Sequence, residues 1–435
     1  MLTAFTRAFR TPDLRKKLLF TLGIIALFRL GSVLPTPGVH VQNLAACFDQ
    51  ARSGASGNIY GMVQLFSGGA LLKLSVFALG IMPYITASII LQLLVVVIPR
   101  LEALKKEGQA GQSKITQYTR YLTIGLAVLQ STAFIALART GQLFPDCQQQ
   151  VLLDPDNIYG IVTMVVIMTA GTSVIMWLGE LITDRGVGNG MSILIFTQVV
   201  AVFPAELANI FQQKGAFTFT IVMVVGIFMI AAVVFVEQAQ RRIPVQYAKR
   251  MVGRRMYGGT STYIPLKVNQ AGIIPVIFAS SLLYLPQLIT SLFQTSDNVV
   301  VRWLSQNFIT GDTPIYMASF FLLIVFFTYF YVSITFNPTE VADNMKKYGG
   351  FIPGIRPGRP TAEYLNFVLT RLTAPGALYL GLISMVPIVA LAVAGASQNF
   401  PFGGTSILIM VGVGLDTVKQ IESQLQQRNY EGFLR

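Results

Sequence analysis

The sequence contains few residues that could catalyse a reaction or bind a metal. His40 is the only histidine, and the surrounding LPTPGVH indicates a loop. A metal site needs several His, Cys or carboxylate ligands together, and a Ser–His pair needs its histidine beside the serine. The phosphate-binding pattern GxxxxGK[ST] is also absent from the sequence. We therefore expect no catalytic residue, no metal and no cofactor, so that energy must come from a partner or from the membrane potential.

Acidic side chains are the other groups that could carry ions or protons through a membrane. Glu180, Asp184, Glu237 and Asp416 lie at the ends of apolar segments, where we expect the cytoplasmic edge. A secondary transporter should carry coupling carboxylates at mid-membrane, and an intramembrane enzyme should carry a nucleophile and a base there. These two alternatives are disfavoured, and neither explains the long basic loops described below.

Three further residues have ambiguous roles. Cys47 and Cys147 are the only cysteines, and both map to loops on the outer side. An oxidised pair is conceivable there, but the sequence favours two unrelated thiols because nothing fixes their distance. Arg29 interrupts an apolar segment. It could bind an anionic substrate, but a structural role is favoured, in which it reaches outward or pairs with acidic outer loops.

Membrane-spanning helices must position these residues. The chain has 435 residues, of which 53% are hydrophobic and 12% charged, and its mean hydropathy is +0.61. Soluble domains carry about 25% charged residues, and a helix needs roughly 20 apolar residues to cross a bilayer. We therefore predict an all-α polytopic membrane protein with about ten transmembrane helices. The uncharged windows fall near 18–37 (interrupted by Arg29), 74–99, 121–138, 157–179, 186–205, 215–236, 268–296 and 313–339, and the turn sequence GASQNFPFGGTS divides a longer window, 372–415, into two.

The distribution of positive charge predicts the orientation of these helices. Lys and Arg residues concentrate in alternate connecting segments, which the positive-inside rule assigns to the cytoplasm together with both termini. Of the 32 Lys and Arg residues, the opposite side receives only Arg52, Lys73, Arg139, Lys214 and Arg302.

Two inner loops are long enough to contact a partner. They span 237–267 and 337–371, and the first contains the basic sequence QRRIPVQYAKRMVGRR. Anionic lipid headgroups are one candidate partner for such loops, and an acidic protein or ribosomal RNA is the other.

Two apolar windows share interruptions by glycine and proline. The second window contains Gly80 and Pro83 near its middle, and the seventh contains Gly272 and Pro275. Matched interruptions in two halves of a chain are typical of duplicated, possibly inverted, repeats with a path at their interface.

Five long blocks of sequence carry a family resemblance. The blocks are FSGGALLKLSVFALGIMPYITASIILQLL (66–94), TDRGVGNGMSILIF (183–196), QRRIPVQYAKR with KVNQAGIIPVIFASS (240–281), FNPTEVADNMKKYGGFIPGIRPG (336–358) and PFGGTSILI (401–409). In this order they resemble the SecY family, the central subunit of the bacterial protein-conducting channel. The resemblance implies two pseudo-symmetric inverted halves, 1–205 and 206–435, around an hourglass pore that translocates unfolded polypeptides and releases hydrophobic segments laterally.

The resemblance also assigns residues to the pore and its plug. A ring of apolar side chains at the waist is implied for Ile81, Ile85, Met191, Ile195, Ile277 and Ile409. Independently of the family, 81/85 and 191/195 are i, i+4 pairs that share a helical face. A plug near 62–73, expected as a short distorted helix on the outer side, is implied for Phe66, Ser67, Gly68, Gly69, Ala70, Leu71 and Leu72, with Lys73 toward the outer water.

A lateral gate and a docking surface complete the implied sites. The second and seventh spans form the gate in this family, and Thr86 and Gln92 are expected to face Asn269 across its seam. Docking of the motor ATPase SecA or of the ribosome is implied for Arg241, Arg242, Arg254, Arg255 and Arg356. The further implied partners are the subunits SecE and SecG, signal peptides, nascent chains and membrane lipids.

Overall fold

The computed structural model describes most of the chain, and every structural statement below concerns the described part. That part comprises residues 9, 11–53, 69–71, 73–139, 141, 147, 151–153, 157–247, 250–252, 255–257, 261–292, 299–308, 313–394 and 404–431. Its helices are α1 (Pro12–Val33), α2 (Val41–Ser53), α3 (Met82–Val97), α4 (Pro99–Lys106), α5 (Gln109–Arg139), α6 (Ile158–Arg185), α7 (Gly190–Gln238), α8 (Ile274–Leu292), α9 (Val299–Phe308), α10 (Pro314–Thr335), α11 (Pro338–Lys347), α12 (Arg359–Ala394) and α13 (Gly404–Glu431). Its strands are β1 (Gln240–Tyr247), β2 (Arg250–Val252), β3 (Arg255–Tyr257), β4 (Ser261–Lys267) and β5 (Gly350–Phe351).

Every uncharged window contains a helix. Within the described residues, five helical segments are long and apolar enough to cross a membrane: Gln109–Arg139, Ile158–Arg185, Gly215–Gln238, Pro314–Lys347 and Arg359–Val386. A sixth span results if α3 and α4 are counted as one broken segment, since they meet at a bend of 99°. Gly190–Ala205 and Ile274–Leu283 are shorter apolar helices. The architecture is that of an all-α polytopic membrane protein.

Helix α7 contains two of the predicted spans. It spans Gly190 to Gln238, but Gly215 has φ 79° and ψ 172°, a backbone conformation outside the α-helical region, so the helix is kinked there. Glycine adopts this backbone conformation at little cost because it has no Cβ. The kink agrees with the sequence windows 186–205 and 215–236.

The second window departs from the prediction of a continuous helix. Its helix begins only at Met82, and residues 73–81 form consecutive turns, with positive φ at Leu74 (44°) and Gly80 (57°). Protein surrounds this segment: the Thr36 hydroxyl donates to the Leu74 carbonyl (2.7 Å), and the Val76 N–H donates to the Leu34 carbonyl (2.9 Å). Irregular backbone is tolerated at membrane depth only where protein or a water-filled cavity surrounds it.

A disulfide bond corrects the expectation of two unrelated thiols. Cys47 in α2 is bonded to Cys147, with 5.3 Å between their Cα atoms. The neighbouring backbone brings them together, because Val39 forms a bridge with Leu152 and the His40 N–H donates to the Val151 carbonyl (2.8 Å). A separation of 100 residues hides such a contact from the sequence.

The two basic loops form one sheet rather than two independent loops. Strand β1 of the first loop pairs antiparallel with β4 and, through its last residues Gln246 and Tyr247, with β5 of the second loop. The strand order is β4-β1-β5. A small apolar core, which includes Ile243, Val245 and Leu365, lies beneath the sheet. The alternating burial of Ile243 and Val245 is the period-two pattern of a strand with one buried face.

Three clusters of buried residues divide the membrane-embedded part. The first joins residues between Val39 and Met168, all within the N-terminal half. The second joins α7, α8, α9, α10, α12 and α13, together with Ile89 of α3. The third draws residues from both halves and contains the candidate pore.

Candidate functional site: an apolar constriction and its gate

All six residues assigned to the ring lie in the third cluster. Ile81, Ile195, Ile277 and Ile409 are buried in it, and Ile85 and Met191 pack against it half-buried. They come from both halves of the chain and from four helices or their ends: α3, α7, α8 and α13. The structure therefore brings together residues separated by more than 300 positions. The i, i+4 spacing predicts only which residues share a face within one helix, and it does not predict this meeting.

Local structure explains how these side chains are presented. Ile81 precedes the first residue of α3, and its carbonyl accepts the N–H of Ile85 (3.1 Å), so that both follow the turn segment directly. The Asn189 side chain caps α7 by accepting the N–H groups of Met191 and Ser192. A capped N-terminus fixes where the helix starts, and therefore which face carries Met191 and Ile195.

Met191 and Gln198 lie beside the other residues assigned to the ring. The Met191 sulfur packs onto Gly179 of α6, so part of this side chain fills space between helices. Gln198, which lies on the same face of α7 as Ile195, is 2% exposed, and its Nε2 donates to no acceptor among the described residues. A Cβ on Gly80 would overlap that nitrogen. Sequence reasoning missed Gln198, although its spacing of i+3 from Ile195 places it beside the ring.

The helices of the candidate gate, α3 and α8, are neighbours, and α8 also contacts α5. An apolar stripe forms the α3 side of this contact: Ile85, Ile89 and Leu93 pack in the same cluster as Val276 and Leu283 of α8. Their i, i+4, i+8 spacing places them on one helical face.

The expected polar contacts across the gate are absent from the described residues. The Thr86 hydroxyl donates to the Met82 carbonyl (3.0 Å), and Gln92 is exposed and donates to Ser88 (3.4 Å). Asn269 instead donates to Glu237 (2.6 Å) and to the Gly272 carbonyl (3.2 Å). The prediction that these side chains hydrogen-bond across the seam is wrong for this structure, because each donor is hydrogen-bonded within its own half.

Part of the assigned plug lies outside the described residues, namely Phe66, Ser67, Gly68 and Leu72. The remaining plug residues form turns rather than the expected helix, with Gly69 at φ 81°. Ala70 and Leu71 are buried, and Leu71 packs in the first cluster with Leu74 and Cys47. Lys73 is exposed, which is the environment expected for it.

The assigned docking residues are only partly described. Arg241 and Arg242 are exposed on β1, where the Arg242 guanidinium lies 4.8 Å from the ring centroid of Tyr263 on β4. Arg356 is exposed in a turn between Gly354 and Gly358, and its carbonyl accepts the hydroxyl of Thr361 (2.9 Å). Arg255 belongs to β3, and Arg254 lies outside the described residues.

Glu180 and Glu237, two acidic residues near the ends of their helices, each accept hydrogen bonds from another side chain. Glu180 of α6 accepts two hydrogen bonds from Arg120 of α5 (2.9 and 2.8 Å), a bidentate ion pair that ties these helices together. Glu237 accepts the hydrogen bond from Asn269. No group of three or more His, Cys, Asp or Glu side chains suited to a metal ion occurs among the residues described.

Comparisons of sequence identify similar proteins over the whole chain. A family model described as SecY matches residues 75–418. Relatives named protein translocase subunit SecY include one from Streptomyces scabiei, 67% identical over 440 residues, and one from Mycobacterium bovis, 60% identical over 442 residues. Each alignment covers 100% of this chain and 100% of the relative.

Comparisons of structure agree with this fold. A solved structure described as a protein conducting channel has a TM-score of 0.61 at 18% identity. Sec61 in the canine ribosome-channel complex from the endoplasmic reticulum has a TM-score of 0.59, also at 18% identity. Both alignments cover 94% of this chain and 91% of the other. At such low identity the likeness establishes the fold alone.

Proposed function

Because this chain belongs to the SecY family of protein translocase subunits, we propose that its apolar cluster is the constriction through which unfolded polypeptides pass. Members of this family are subunits of a protein-conducting channel and not enzymes, and this chain is a multi-pass membrane protein of that kind. The observation that carries the proposal is the meeting of Ile81, Ile195, Ile277 and Ile409 from both halves in one buried cluster.

An apolar constriction suits this task for two reasons. A narrow passage without polar groups loses its water and so resists the passage of ions. Aliphatic side chains also offer an extended polypeptide no fixed hydrogen bonds, so they slide past any sequence without holding it. The seal therefore depends on contact between side chains and not on recognition of a sequence motif.

The contact between α3 and α8 is the proposed lateral gate. Its apolar stripe, Ile85, Ile89 and Leu93, is supported by the packing of these residues against the C-terminal half. Lipid tails are as apolar as leucine, so separating such faces into lipid costs little compared with separating them in water. A signal segment gains roughly 0.3–0.6 kcal/mol for each leucine that enters the membrane. Partitioning would then decide which segments leave the channel.

The plug is proposed to occupy residues 62–73 on the outer side of the constriction. Buried Ala70 and Leu71 support a fixed attachment at the end of this segment that leads into α3. Small residues before them allow close approach to the constriction while adding only modest apolar contact.

The sheet β4-β1-β5 and the turn around Arg356 form the proposed docking surface for SecA and for the ribosome. Exposed Arg241, Arg242 and Arg356 support this assignment, because arginine suits both carboxylate and phosphate partners. Arg254 and Arg255 are assigned to the same surface by family resemblance. We further propose SecE and SecG as companion subunits, signal peptides, nascent chains and lipids as ligands, and a bacterial plasma membrane location with both termini in the cytoplasm.

Electrical conductance tests the proposed channel. The chain, purified with the subunits that accompany it, is reconstituted in a planar bilayer, and a synthetic signal peptide with ten leucines is added. We expect almost no ion current before the peptide and a clear current after it. Deletion of 66–72 should produce current without peptide while polypeptide translocation persists. Strict coupling of a solute to an ion would contradict the channel, and an ion-tight deletion variant would contradict the plug.

A further inference from the structure

Glu237 and Asn269 form a buried polar contact at the base of α8. Glu237 is 8% exposed and Asn269 is 2% exposed. The Asn269 Nδ2 donates to Glu237 Oε1 at 2.6 Å and to the Gly272 carbonyl at 3.2 Å. A hydrogen bond to a carboxylate is stronger than one between neutral groups, and more so away from water. The carboxylate is therefore the main polar partner of Asn269.

The backbone around this contact is fixed on both sides. Glu237 lies near the end of α7, just before β1, and Asn269 follows the end of β4. The paired strands begin with Gln240 opposite Lys267, and the Val268 N–H donates to the Ala239 carbonyl (3.0 Å). The side-chain contact therefore continues the strand pairing toward α8, which begins at Ile274.

Neighbouring helices of the C-terminal half close around the same point. A Cβ on Gly376 of α12 would overlap the Val268 carbonyl, so the backbone before Asn269 packs directly on α12. Lys267 lies 3.5 Å from Asp416 of α13. The base of α8 is thus attached to α7, α12 and α13, whereas its other face meets α3 across an apolar seam.

The side chain of Asn269 is held through its nitrogen and not through its oxygen. Asn269 Oδ1 is buried and accepts no hydrogen bond from the part of the chain that the structure describes. An unsatisfied buried acceptor costs free energy, so the side chain keeps its orientation only because its nitrogen is held. Removing the Glu237 carboxylate would leave the weaker bond to Gly272 alone.

We propose that Glu237 is a positioning residue of the lateral gate: by binding Asn269 it holds the base of α8 to the C-terminal half and keeps α8 against α3 until a signal segment enters. The inference rests on the proposed gate between α3 and α8. An experiment can show that Glu237 does not hold α8 in place while the gate between α3 and α8 still opens, so the two proposals can be tested separately.

Ion current without peptide is the first measurement. Glu237→Leu should raise this current about tenfold, since losing one hydrogen bond to a charged group shifts a two-state equilibrium by at least that factor. Glu237→Gln retains an oxygen acceptor for Asn269 and should stay close to the unmodified chain. Glu180→Leu, which removes a carboxylate bound to Arg120 in the other half, is the control for general destabilisation and should not raise the current.

A double variant tests whether the two residues act through each other. Asn269→Leu should raise the current, and Glu237→Leu with Asn269→Leu should raise it no further than the stronger single change. Multiplied effects in a folded double variant would overturn the inference, as would an unchanged current in Glu237→Leu or an equal increase in Glu180→Leu.

A distance measurement separates this inference from the gate itself. Spin labels are attached at Val97→Cys on α3 and Leu282→Cys on α8, both exposed positions; the two native cysteines are bonded to each other. In the otherwise unmodified chain the ten-leucine peptide should widen the distance, and Glu237→Leu should widen it without peptide. No change with peptide would overturn the gate and the inference together. A change with peptide, but none with Glu237→Leu, would overturn the inference alone.

Discussion

At the scale of single residues, burial does not by itself distinguish a ring residue from a packing residue. Ile81 and Ile175 belong to the same apolar cluster and are 1% and 0% exposed. Their burial is equivalent, but only Ile81 is assigned to the proposed constriction. What distinguishes a ring residue is that its side chain faces the proposed passage. A matched pair of substitutions, one at each residue, tests this difference.

We expect Ile81→Ala and Ile175→Ala to have similar effects on stability and different effects on ion current. Either change removes three buried side-chain carbon atoms and should lower the free energy of unfolding by about 2–5 kcal/mol. Only Ile81→Ala should widen the constriction and raise the ion current without peptide. Thermal unfolding in detergent and bilayer conductance are the two measurements, and equal currents in the two variants would contradict the ring assignment of Ile81.

The same scale shows why Asn269 was assigned to the wrong contact. Its amide can donate to any nearby acceptor, and sequence identifies the donor but not the acceptor. The structure provides Glu237, a carboxylate, in the same half. Since a charged acceptor is stronger than the hydroxyl and amide groups of Thr86 and Gln92, the contact within the half is favoured over the contact across the seam.

At the scale of elements, the disulfide lies beside the end of the proposed plug. It joins α2 to Cys147, and Cys47 packs in the same cluster as Leu71 and Leu74. The irregular segment that leads into α3 is thus bounded by a covalent link on one side and by its hydrogen bonds to residues 34 and 36 on the other. Close approach of this segment to α6 is possible because Gly171 has no Cβ to meet the Val76 carbonyl.

Removing the disulfide should lower the thermal stability of the chain. A closed loop of about 100 residues corresponds to at most about 4.7 kcal/mol in the chain-entropy model, and residual structure in the unfolded state reduces this value. We expect a reductant to lower the unfolding temperature of the unmodified chain by several degrees. The same reductant should have no effect on Cys47→Ser with Cys147→Ser. An unfolding temperature of the unmodified chain that is insensitive to reductant would show that the bond contributes nothing to stability.

At the scale of the whole molecule, the structure joins two distant loops into one surface. Strand β5 of the second loop pairs with β1 of the first, so the turn that carries Arg356 is fixed relative to Arg241 and Arg242. A partner that contacts this surface therefore meets a sheet with its own apolar core instead of two loops that must be ordered on binding. Preorganisation of this kind lowers the entropic cost of association.

Arg356→Glu should stop SecA-driven export while the protein remains folded in the membrane. The charge reversal places a repulsive group where an acidic partner is expected, and Arg356 is exposed with no role in the apolar core. Arg359→Glu, which changes the net charge equally at a nearby exposed position, is the matched control and should reduce export less. Export is measured with purified SecA and a precursor substrate in proteoliposomes, and normal export by Arg356→Glu would contradict the docking assignment.

The sequence by itself showed that the chain lies in a membrane, where its apolar spans fall and which family it resembles. Runs of apolar residues and the placement of Lys and Arg are local properties of the chain, and each uncharged window does contain a helix. The family blocks then indicated the ring residues, which the structure brings together, although their assignment to a pore remains a proposal. The spans and their charge bias follow from composition and short-range spacing, whereas the family and the ring residues follow from the resemblance of the sequence blocks.

Only the tertiary structure decided the contacts between residues far apart in the sequence. The bond between Cys47 and Cys147, the pairing of β1 with β5 and the partner of Asn269 each depend on how separate segments pack. It also showed that the second span begins with buried turns, because neighbouring protein satisfies a backbone that lipid could not. Short-range patterns contain no information about such partners, since loop closure and packing of the whole chain select them.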